Sequence, residues 1–417
     1  MQALPGFRDF YPDDCARRNY ILETWRAVAR RYGFVEYDGP VLEPIELYRK
    51  KSGGELVGQL FDFTDKGERH VAMRPEMTPT LARMVAARER DFRKPMKWFC
   101  VPQFFRYEKQ QRGRLREFYQ LNCDIIGEAS PAADAELLAV LIDSLRSFGL
   151  TEQDFVVRMS SRTAWQQFFT NLGGTAEGEE AFFGIVDKAE RATPEKTTAA
   201  LAALNLPALT TDAVMGFMRS KEATAELEPI IADLAARGLA GFVEVDYAIV
   251  RGLAYYTGFV FEVFDRSKEE RALAGGGRYD RLLSVMSDGR VDLPALGFGM
   301  GDVVLANLIE DTETARSQRE AWCAAQGAAE VFVVIAKEER RADALALVQA
   351  LRAAGHRTDF PLGPAKVGKQ FQVAEQLRAR HAVLVGDEWP QVKLKRLATR
   401  EEVLVDAADL LRHLANA

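Results

Sequence analysis

Polar and apolar residues alternate along residues 118–125, and this alternation predicts a β-strand with one face on the core. Every second residue is apolar or aromatic and would form the core face: Tyr119, Leu121, Cys123 and Ile125. The intervening residues carry amide and carboxylate groups after one aromatic ring: Phe118, Gln120, Asn122 and Asp124. The strand is therefore expected to present polar groups on the face opposite the core.

The residues before this strand predict a hairpin with a basic loop. Arg106 and Glu108 are two positions apart, so they would share one face of a preceding strand. The loop surrounds Gly113 with cations: Lys109, Arg112, Arg114 and Arg116. Such a hairpin suits a bound polyphosphate beside a small polar substrate, although a solvated hairpin with a charged outer face has the same pattern.

Helical and strand periodicity recurs on both sides of the hairpin. Apolar residues at helical spacing predict helices at 16–33, 79–89 and 133–148. An Ala-rich stretch predicts an inserted helical subdomain at about 160–240. Runs of β-forming residues predict strands at 35–40, 242–246 and 259–264 and near Leu296.

The pattern changes near residue 330, after a polar, Ala-rich stretch at 311–329 that predicts a helix or a linker. Beyond it, short apolar segments alternate with helical ones. The strand-like segments are 331–335, 356–360, 381–385 and 392–397, and the helical ones are 338–354, about 367–377 and 406–415. This alternation predicts a small α/β domain with a mixed sheet.

Composition indicates an ordinary globular protein. The chain has 417 residues, of which 47% are hydrophobic and 28% charged, and the length favours two to three domains. The formal net charge is −6, whereas a protein that binds nucleic acid through overall charge would be basic. Any contact with nucleic acid is therefore expected to be local.

Cysteine and histidine positions argue against a structural metal site or a disulfide framework. No pair among the four cysteines or the four histidines has metal-ligand spacing: Cys15, Cys100, Cys123, Cys323, His70, His356, His381 and His413. The N-terminus lacks the pattern of a signal peptide, and no apolar run has the length of a membrane span. We therefore expect a cytoplasmic protein without membrane contact.

Four segments carry unusual residues. They are Arg74-Pro-Glu-Met-Thr78, the hairpin, Val250–Gly258, and a glycine-rich pair formed by Gly275–Asp280 and Gly297–Gly301. Each has a structural interpretation when taken alone, because glycine clusters usually mark tight turns or close backbone approach. The Gly297–Gly301 run is not a dinucleotide fingerprint, since the full spacing and the downstream acidic residue are missing.

Together these segments resemble histidyl-tRNA synthetase, a class II aminoacyl-tRNA synthetase. The two signatures particular to that family are Arg251-Gly-Leu-Ala-Tyr-Tyr256 and Gly276-Gly-Arg-Tyr-Asp280. The resemblance implies an α+β fold, in which an antiparallel sheet with flanking helices and a helical insertion forms a catalytic core over residues 1–325. It also implies a C-terminal α/β anticodon-binding domain with a mixed sheet over 330–417.

The resemblance implies that ATP activates L-histidine, which is then transferred to the 3′ end of histidine tRNA. Mg²⁺ and cations are needed because two anions must meet while charge builds. Arg106 and Arg251 would hold the α-phosphate from opposite sides, and arginine suits this task because its planar fork binds oxyanions. Three further hairpin residues would bind the nucleotide: Glu108, Arg112 and Arg114.

The same resemblance implies a histidine pocket that satisfies an ammonium group and both ring nitrogens. The amino group would be bound by Glu76, Thr78 and Gln120. The imidazole would be bound by Asp124 and Tyr256, and Arg251 and Tyr255 would complete the pocket. A site that hydrogen-bonds both nitrogens can reject analogues lacking them by about 10⁴-fold.

Three positions depart from the commonest family pattern. Asp124 stands where Glu is usual, and Ala254 stands where Asp is usual. Val304 occupies the position of the third-motif arginine that binds the far phosphates of ATP, so hairpin cations would have to replace it and Asp302 could help hold a metal. The residues in these segments resemble those of the plant-organelle type of histidyl-tRNA synthetase.

A non-catalytic alternative has the same core. The regulatory subunit of ATP phosphoribosyltransferase resembles the synthetase and senses histidine, but such subunits usually lack the anticodon-binding domain and the catalytic arginines. This chain keeps Arg106, Arg251 and a complete segment after residue 330, which favours the enzyme. By resemblance, the segment that ends at Pro40 would form a homodimer interface.

Overall fold

The computed structural model describes residues 2–51, 58–109, 111–189, 192–206, 208–250, 256–267 and 271–415. The chain divides into two compact units, Met1–Arg319 and Glu320–Ala417. None of the helices in these described ranges is long and apolar enough to cross a membrane.

The first unit is built on one large sheet. Its strands, in chain order, are β1 (Val35–Glu36), β5 (Met96–Cys100), β6 (Gln103–Phe105), β7 (Glu117–Ile126), β8 (Phe155–Ser161), β9 (Val243–Val245), β10 (Phe259–Asp265), β11 (Ala274–Arg278) and β12 (Ala295–Gly301). Their spatial order is β1-β5-β7-β12-β11-β10-β8-β9, with β6 paired to β7. The central pairs are antiparallel, and the β1–β5 and β8–β9 pairs at the edges are parallel.

A small antiparallel sheet of β2 (Leu42–Pro44), β3 (Asp62–Thr64) and β4 (His70–Met73) accompanies the large one in the order β2-β4-β3. Helices cover the sheets. Those outside the insertion are α1 (Pro12–Arg31), α2 (Ile45–Lys51), α3 (Thr78–Arg88), α4 (Pro131–Arg146), α10 (Leu282–Met286), α11 (Asp302–Asp311) and α12 (Glu313–Ala325).

The core lies between the large sheet and α4. The residues of β7 with core-face parity, Leu121, Cys123 and Ile125, are almost fully buried. Helix α4 packs against β7 and β12, and it is apolar nearly all round, as expected of a helix buried between a sheet and other helices. The alternation predicted for this strand is confirmed, and it leaves the opposite face of the sheet for polar side chains.

The insertion is helical, as predicted. Its helices are α5 (Arg162–Asn171), α6 (Glu179–Ala189), α7 (Pro194–Ala202), α8 (Thr211–Arg219) and α9 (Glu228–Ala236). Trp165 is its central side chain, with ring contacts to Phe168, Phe182 and Phe217. The Trp165 indole donates to the carbonyl of Tyr247 at 3.0 Å, which joins the insertion to the chain that leaves it.

The second unit has the mixed sheet that the sequence predicts. Its strands are β13 (Val331–Ile335), β14 (Thr358–Asp359), β15 (His381–Val385), β16 (Gln391–Arg396) and β17 (Glu402–Asp406), in the order β14-β13-β15-β16-β17. The first two pairs in this order are parallel and the last two are antiparallel. Its helices are α13 (Arg341–Ala353), α14 (Val367–Gln376) and α15 (Leu410–Ala415).

Several predicted boundaries differ from the structure. The strand predicted at 35–40 keeps its ladder only over Val35–Glu36, and residues 160–161 belong to β8 and not to the insertion. The strand predicted to carry Arg106 and Glu108 ends at Phe105, so both side chains lie in the hairpin loop. Beyond Phe105 the chain no longer pairs with β7, because Tyr107 donates its backbone N–H to the carbonyl of Gln59.

One buried ion pair joins the sheet to its covering helix. Arg278, at the end of β11, donates to Asp134 at 2.8 Å and also to the carbonyl of Ser130 at 3.0 Å, where α4 begins. Burial raises the pKa of Asp134 to about 6, and the interaction with Arg278 opposes this rise. The helix N-terminus also favours a carboxylate there. This pair fixes the glycine-rich strand against α4.

We expect Asp134→Ala to lower the free energy of unfolding by about 3–5 kcal/mol, because the Arg278 guanidinium loses its counter-charge while buried. Denaturant titration measures the change. Asp91→Ala is the control, because Asp91 forms an exposed pair with Arg88 at 2.6 Å and should cost less than about 1 kcal/mol. Equal losses in the two variants would contradict the structural role of the buried pair.

Candidate active site

The polar face of the large sheet is flanked by glycines. On β12, Gly301, Gly299 and Gly297 lie directly opposite the polar residues of β7, which are Gln120, Asn122 and Asp124 respectively. On β11, Gly275 lies opposite Gly299 and Gly277 lies opposite Gly297, so two of these three rows continue onto β11. Residues paired directly across strands share one face of a sheet, so the polar side chains stand beside a floor without side chains. A ligand can lie directly on this glycine floor.

Side chains already occupy the space that larger residues would need. A Cβ atom on Gly297 would fall on the Asp124 carboxylate, and one on Gly299 would lie 2.7 Å from the Gln120 side chain. The glycines therefore let Gln120 and Asp124 lean across the neighbouring strand. Glycine clusters mark either tight turns or close approach of other atoms to the backbone. These glycines mark close approach, because neighbouring side chains occupy the space of a Cβ atom.

The hairpin loop forms a wall beside this floor. Arg106 donates from Nε to the carbonyl of Pro75 at 2.9 Å, and its guanidinium lies 5.2 Å from the centre of the Phe118 ring. Glu108 is buried and pairs with Arg114. Although Arg106 and Glu108 lie outside any strand, both reach the polar side, as the sequence predicts.

A cavity of about 510 Å³ lies between the hairpin and the glycine floor. This volume is typical of a small-molecule site. Its charged and polar lining comes from two walls: Arg106, Glu108, Arg114 and Gln120 on one side and Glu262 and Arg271 on the other. Its remaining lining is mainly glycine and apolar: Gly113, Leu115, Phe118, Phe264, Ala272, Leu273, Ala274, Gly275, Gly299, Gly301, Val303 and Val304.

Asp124 marks the far end of the floor. Its carboxylate accepts a hydrogen bond from the Tyr279 hydroxyl, and both residues are buried. Tyr256 packs in the same apolar cluster as Tyr279, together with Leu81 of α3. Tyr279 therefore hydrogen-bonds to Asp124 and shares an apolar cluster with Tyr256, the two residues predicted to bind the imidazole. Tyr279 itself was not predicted from the sequence.

Nearby Cys100 adds no charge to this end of the floor. Burial raises the pKa of its thiol well above the ordinary value, and the Asp124 carboxylate raises it further. The thiol is therefore neutral at pH 7. A carboxylate in this position suits a cationic or hydrogen-bonding substrate group.

The segment with Glu76 and Thr78 is fastened to the hairpin side. Arg74 is buried and donates to Asp38 at 2.7 Å, to the carbonyl of Gly39 at 2.8 Å and to that of Gln103 at 3.0 Å. Thr78 is the first residue of α3. Arg74 thus anchors the chain that carries the two predicted ammonium-binding residues.

A charged network supports the start of β7. Arg8 donates to Glu117 at 2.6 Å and to Asp302 at 2.9 Å, and Asp302 also accepts from the backbone N–H of Tyr119 at 2.9 Å. Burial raises the pKa of Asp302, while Arg8 lowers it. Asp302 lies beside Arg8 and is not among the cavity-lining residues, so its geometry gives no support to the expected role in holding a metal.

Two predicted cations of the loop lie elsewhere. Arg112 is exposed and sits 3.8 Å from Asp311, outside the cavity lining. Arg116 stacks over Tyr107 at 4.3 Å and donates to the carbonyls of Glu108 and Pro5. Of the other predicted site residues, Arg251 and Tyr255 lie outside the described residues, as does Ala254.

Comparison with known proteins identifies the fold and the family. The model of the histidyl-tRNA synthetase family matches residues 6–301, and that of an anticodon binding domain matches 330–416. The chain belongs to the histidyl-tRNA synthetase family. It is 45% identical to the histidine–tRNA ligase of Opitutus terrae, over 96% of this chain and 95% of that protein.

Two further relatives agree. The chloroplastic/mitochondrial histidine–tRNA ligase of Arabidopsis thaliana is 35% identical over 97% of this chain and 85% of its own length. The crystal structure of histidyl-tRNA synthetase from Nostoc sp. PCC 7120 has the same fold, with a TM-score of 0.78 over 100% of this chain and 99% of that one, at 24% identity.

Family membership makes this chain an ATP-dependent histidine–tRNA ligase, with histidine and tRNA as substrates. The regulatory-subunit alternative is not better supported, because the anticodon-binding model also matches. Three further residues, Tyr279, Arg8 and Arg271, were not predicted from the sequence. Tyr279 lies within the signature Gly276-Gly-Arg-Tyr-Asp280, and Arg271 has the same sequence parity as the floor glycines of β11; these signals could have pointed to the two residues.

We expect Gly299→Ala to lower kcat/KM in histidine-dependent ATP–pyrophosphate exchange by roughly tenfold or more, because the new methyl group displaces Gln120 in a packed site. Gly216→Ala is the matched control, since nothing lies within 4 Å of its Cβ position in α8. If the two variants exchange pyrophosphate equally well, the reaction does not require glycine at position 299.

Proposed function

We propose that ATP lies on the glycine floor beneath the hairpin and that histidine binds at the Asp124 end of it. The carboxylate of histidine attacks the α-phosphorus, pyrophosphate leaves, and the histidyl group then passes to the 3′ end of the tRNA. The cavity carries this proposal, because cations on two walls face a floor on which a bulky polyanion can rest. The reaction needs such an arrangement to bring two anions together.

Arg106 is proposed to bind the α-phosphate. The carbonyl of Pro75 and the ring of Phe118 hold its guanidinium beside the floor. A guanidinium that is fixed before the reaction loses little freedom when charge develops on the phosphate. Arg251 would act from the opposite side and also meet the substrate carboxylate, a role that rests on the family signature in the sequence.

Glu108, Arg112 and Arg114 are the proposed partners of the rest of the nucleotide. Glu108 and Arg114 line the cavity, whereas Arg112 would have to move from its position near Asp311. Mg²⁺ would be held by the phosphates and by Glu262, since this hard cation prefers carboxylate oxygen and Glu262 lines the same wall as Arg271. When bound, the ion neutralises charge on the phosphates.

Histidine recognition is proposed to combine residues of β7 with residues at the start of α3 and in the signature segment. The ammonium group would bind Glu76, Thr78 and Gln120, the imidazole would bind Asp124 and Tyr256, and Arg251 and Tyr255 would complete the pocket. Tyr279 would fix the Asp124 carboxylate through its hydroxyl. A carboxylate oriented in this way can accept from a ring N–H, and analogues without that group leave it unpaired.

Two proposals concern assembly and tRNA. Residues 330–417 would read the anticodon, which agrees with the family model matched there. A homodimer would form around the segment that ends at Pro40, where apolar side chains are exposed: Val35, Val41 and Leu42. The cytoplasmic location expected from the sequence stays a prediction.

We expect Arg106→Ala to lower kcat of pyrophosphate exchange by roughly 10²-fold or more, because a cation facing the transition-state charge is lost. Arg90→Ala is the control, because the Arg90 side chain is 94% exposed and pairs with its neighbour Glu89. Unaltered kcat in Arg106→Ala would remove Arg106 from the proposed site.

We expect deletion of residues 330–417 to leave pyrophosphate exchange measurable and to weaken tRNA charging sharply. The floor, the hairpin and the cavity all lie before residue 305 and within the first compact unit. Charging assays over a range of tRNA concentrations test this. A truncated protein with the full-length KM for tRNA would show that the second unit is not the anticodon reader.

A further inference from the structure

The cavity has a cation that neither the hairpin nor the signature segments supply. Arg271 lines the wall opposite Arg106 and Arg114, on the chain just before β11. It is separated in sequence from the four hairpin residues predicted to bind ATP: Arg106, Glu108, Arg112 and Arg114. Arg271 would therefore contact a different part of ATP from the hairpin residues.

Backbone hydrogen bonds define where Arg271 lies. Leu273 donates its N–H to the carbonyl of Val263 at 2.8 Å, and its own carbonyl accepts from Gly301 at 3.3 Å. These bonds continue the sheet beyond the first residue of β11. By strand alternation Arg271 has the same parity as Leu273 and Gly275, and it reaches the cavity face near the end of β12.

The neighbouring wall offers no side-chain charge. Helix α11 begins directly after Gly301, and its contribution to the cavity is Val303 and Val304. A triphosphate that extends toward this wall meets aliphatic groups there. Arg271, which comes from the adjoining strand, brings a guanidinium to the same end of the cavity.

Two hairpin arginines, Arg106 and Arg114, line the side of the cavity opposite Arg271. Arg106 is held at the carbonyl of Pro75, beside the start of the segment that carries Glu76. Arg114 forms an ion pair with Glu108 on the hairpin wall. Neither lies on the wall formed by β10 and β11, where Glu262 is the carboxylate that accompanies Arg271 in the cavity lining.

We propose that Arg271 binds the β- and γ-phosphates of ATP and takes the place of the arginine that Val304 replaces. When the histidine carboxylate oxygen bonds to the α-phosphorus, the bond from that phosphorus to the bridging oxygen breaks. The electron pair stays on pyrophosphate. Arg271 stabilises this departing charge through bidentate hydrogen bonds. This inference rests on the proposed function of the cavity.

The test compares Arg271→Ala, Arg271→Lys and unaltered protein in histidine-dependent pyrophosphate exchange. Loss of hydrogen bonds to a charged group should raise KM for ATP by about 10- to 100-fold in the alanine variant and leave KM for histidine nearly unchanged. The lysine variant should lie between the two. Calorimetry should show weaker binding of ATP and unchanged binding of AMP, which lacks the far phosphates.

Two further variants sharpen the test. Arg266→Ala is the control, because Arg266 pairs with Glu244 at 3.0 Å and lies outside the cavity lining; it should not change KM for ATP. Arg271→Ala combined with Val304→Arg should recover at least part of the lost ATP affinity, because the new guanidinium would arise from the adjoining wall. Melting temperatures show which variants are folded.

The outcomes separate the inference from the proposed function. A folded Arg271→Ala variant with normal KM for ATP would overturn the inference, as would equal losses of AMP and ATP binding, which would place Arg271 at the base, the sugar or the α-phosphate. A folded double variant no better than Arg271→Ala would refute the exchange of roles with position 304. If the unaltered protein gave no exchange, the proposed function itself would fail.

Discussion

The register between β7, β12 and β11 is the constraint on which the site depends. It sets glycines directly opposite Gln120, Asn122 and Asp124, so polar side chains and bare backbone alternate across one face of the sheet. A slip of one residue would bring Phe298 and Met300 to that face. The geometry of the candidate site therefore depends on how these strands pair and not on any single residue.

Buried charges hold this sheet at both ends. The Arg278–Asp134 pair ties β11 to α4, and the Arg8 network ties the N-terminal segment and α11 to the start of β7. Charges removed from water are costly unless they are paired and hydrogen-bonded, and both groups meet that condition through backbone as well as side-chain partners. Their effect is to fix the floor relative to its surroundings without placing side chains on it.

The charges that line the cavity are arranged differently. Arg106, Arg114 and Arg271 approach the cavity from two walls, and the carboxylates Glu108 and Glu262 stand beside them. Such a mixed lining suits a nucleotide bound with a metal ion better than a bare anion. The described residues that α11 contributes to the cavity lining, Val303 and Val304, are aliphatic, so the distribution of cations around the cavity differs from that expected of the commonest family pattern.

The sequence by itself determined the family, the helical insertion, the C-terminal mixed sheet and the polar face of β7, because periodicity and short signatures are local properties. It did not determine where the hairpin strand ends, since that depends on the bond from Tyr107 to Gln59. Only the tertiary structure showed that Tyr279 meets Asp124, that Asp302 lies beside Arg8, and that Arg271 faces the hairpin. These contacts join residues more than a hundred positions apart, and strand register, which no local pattern encodes, decides which of them meet.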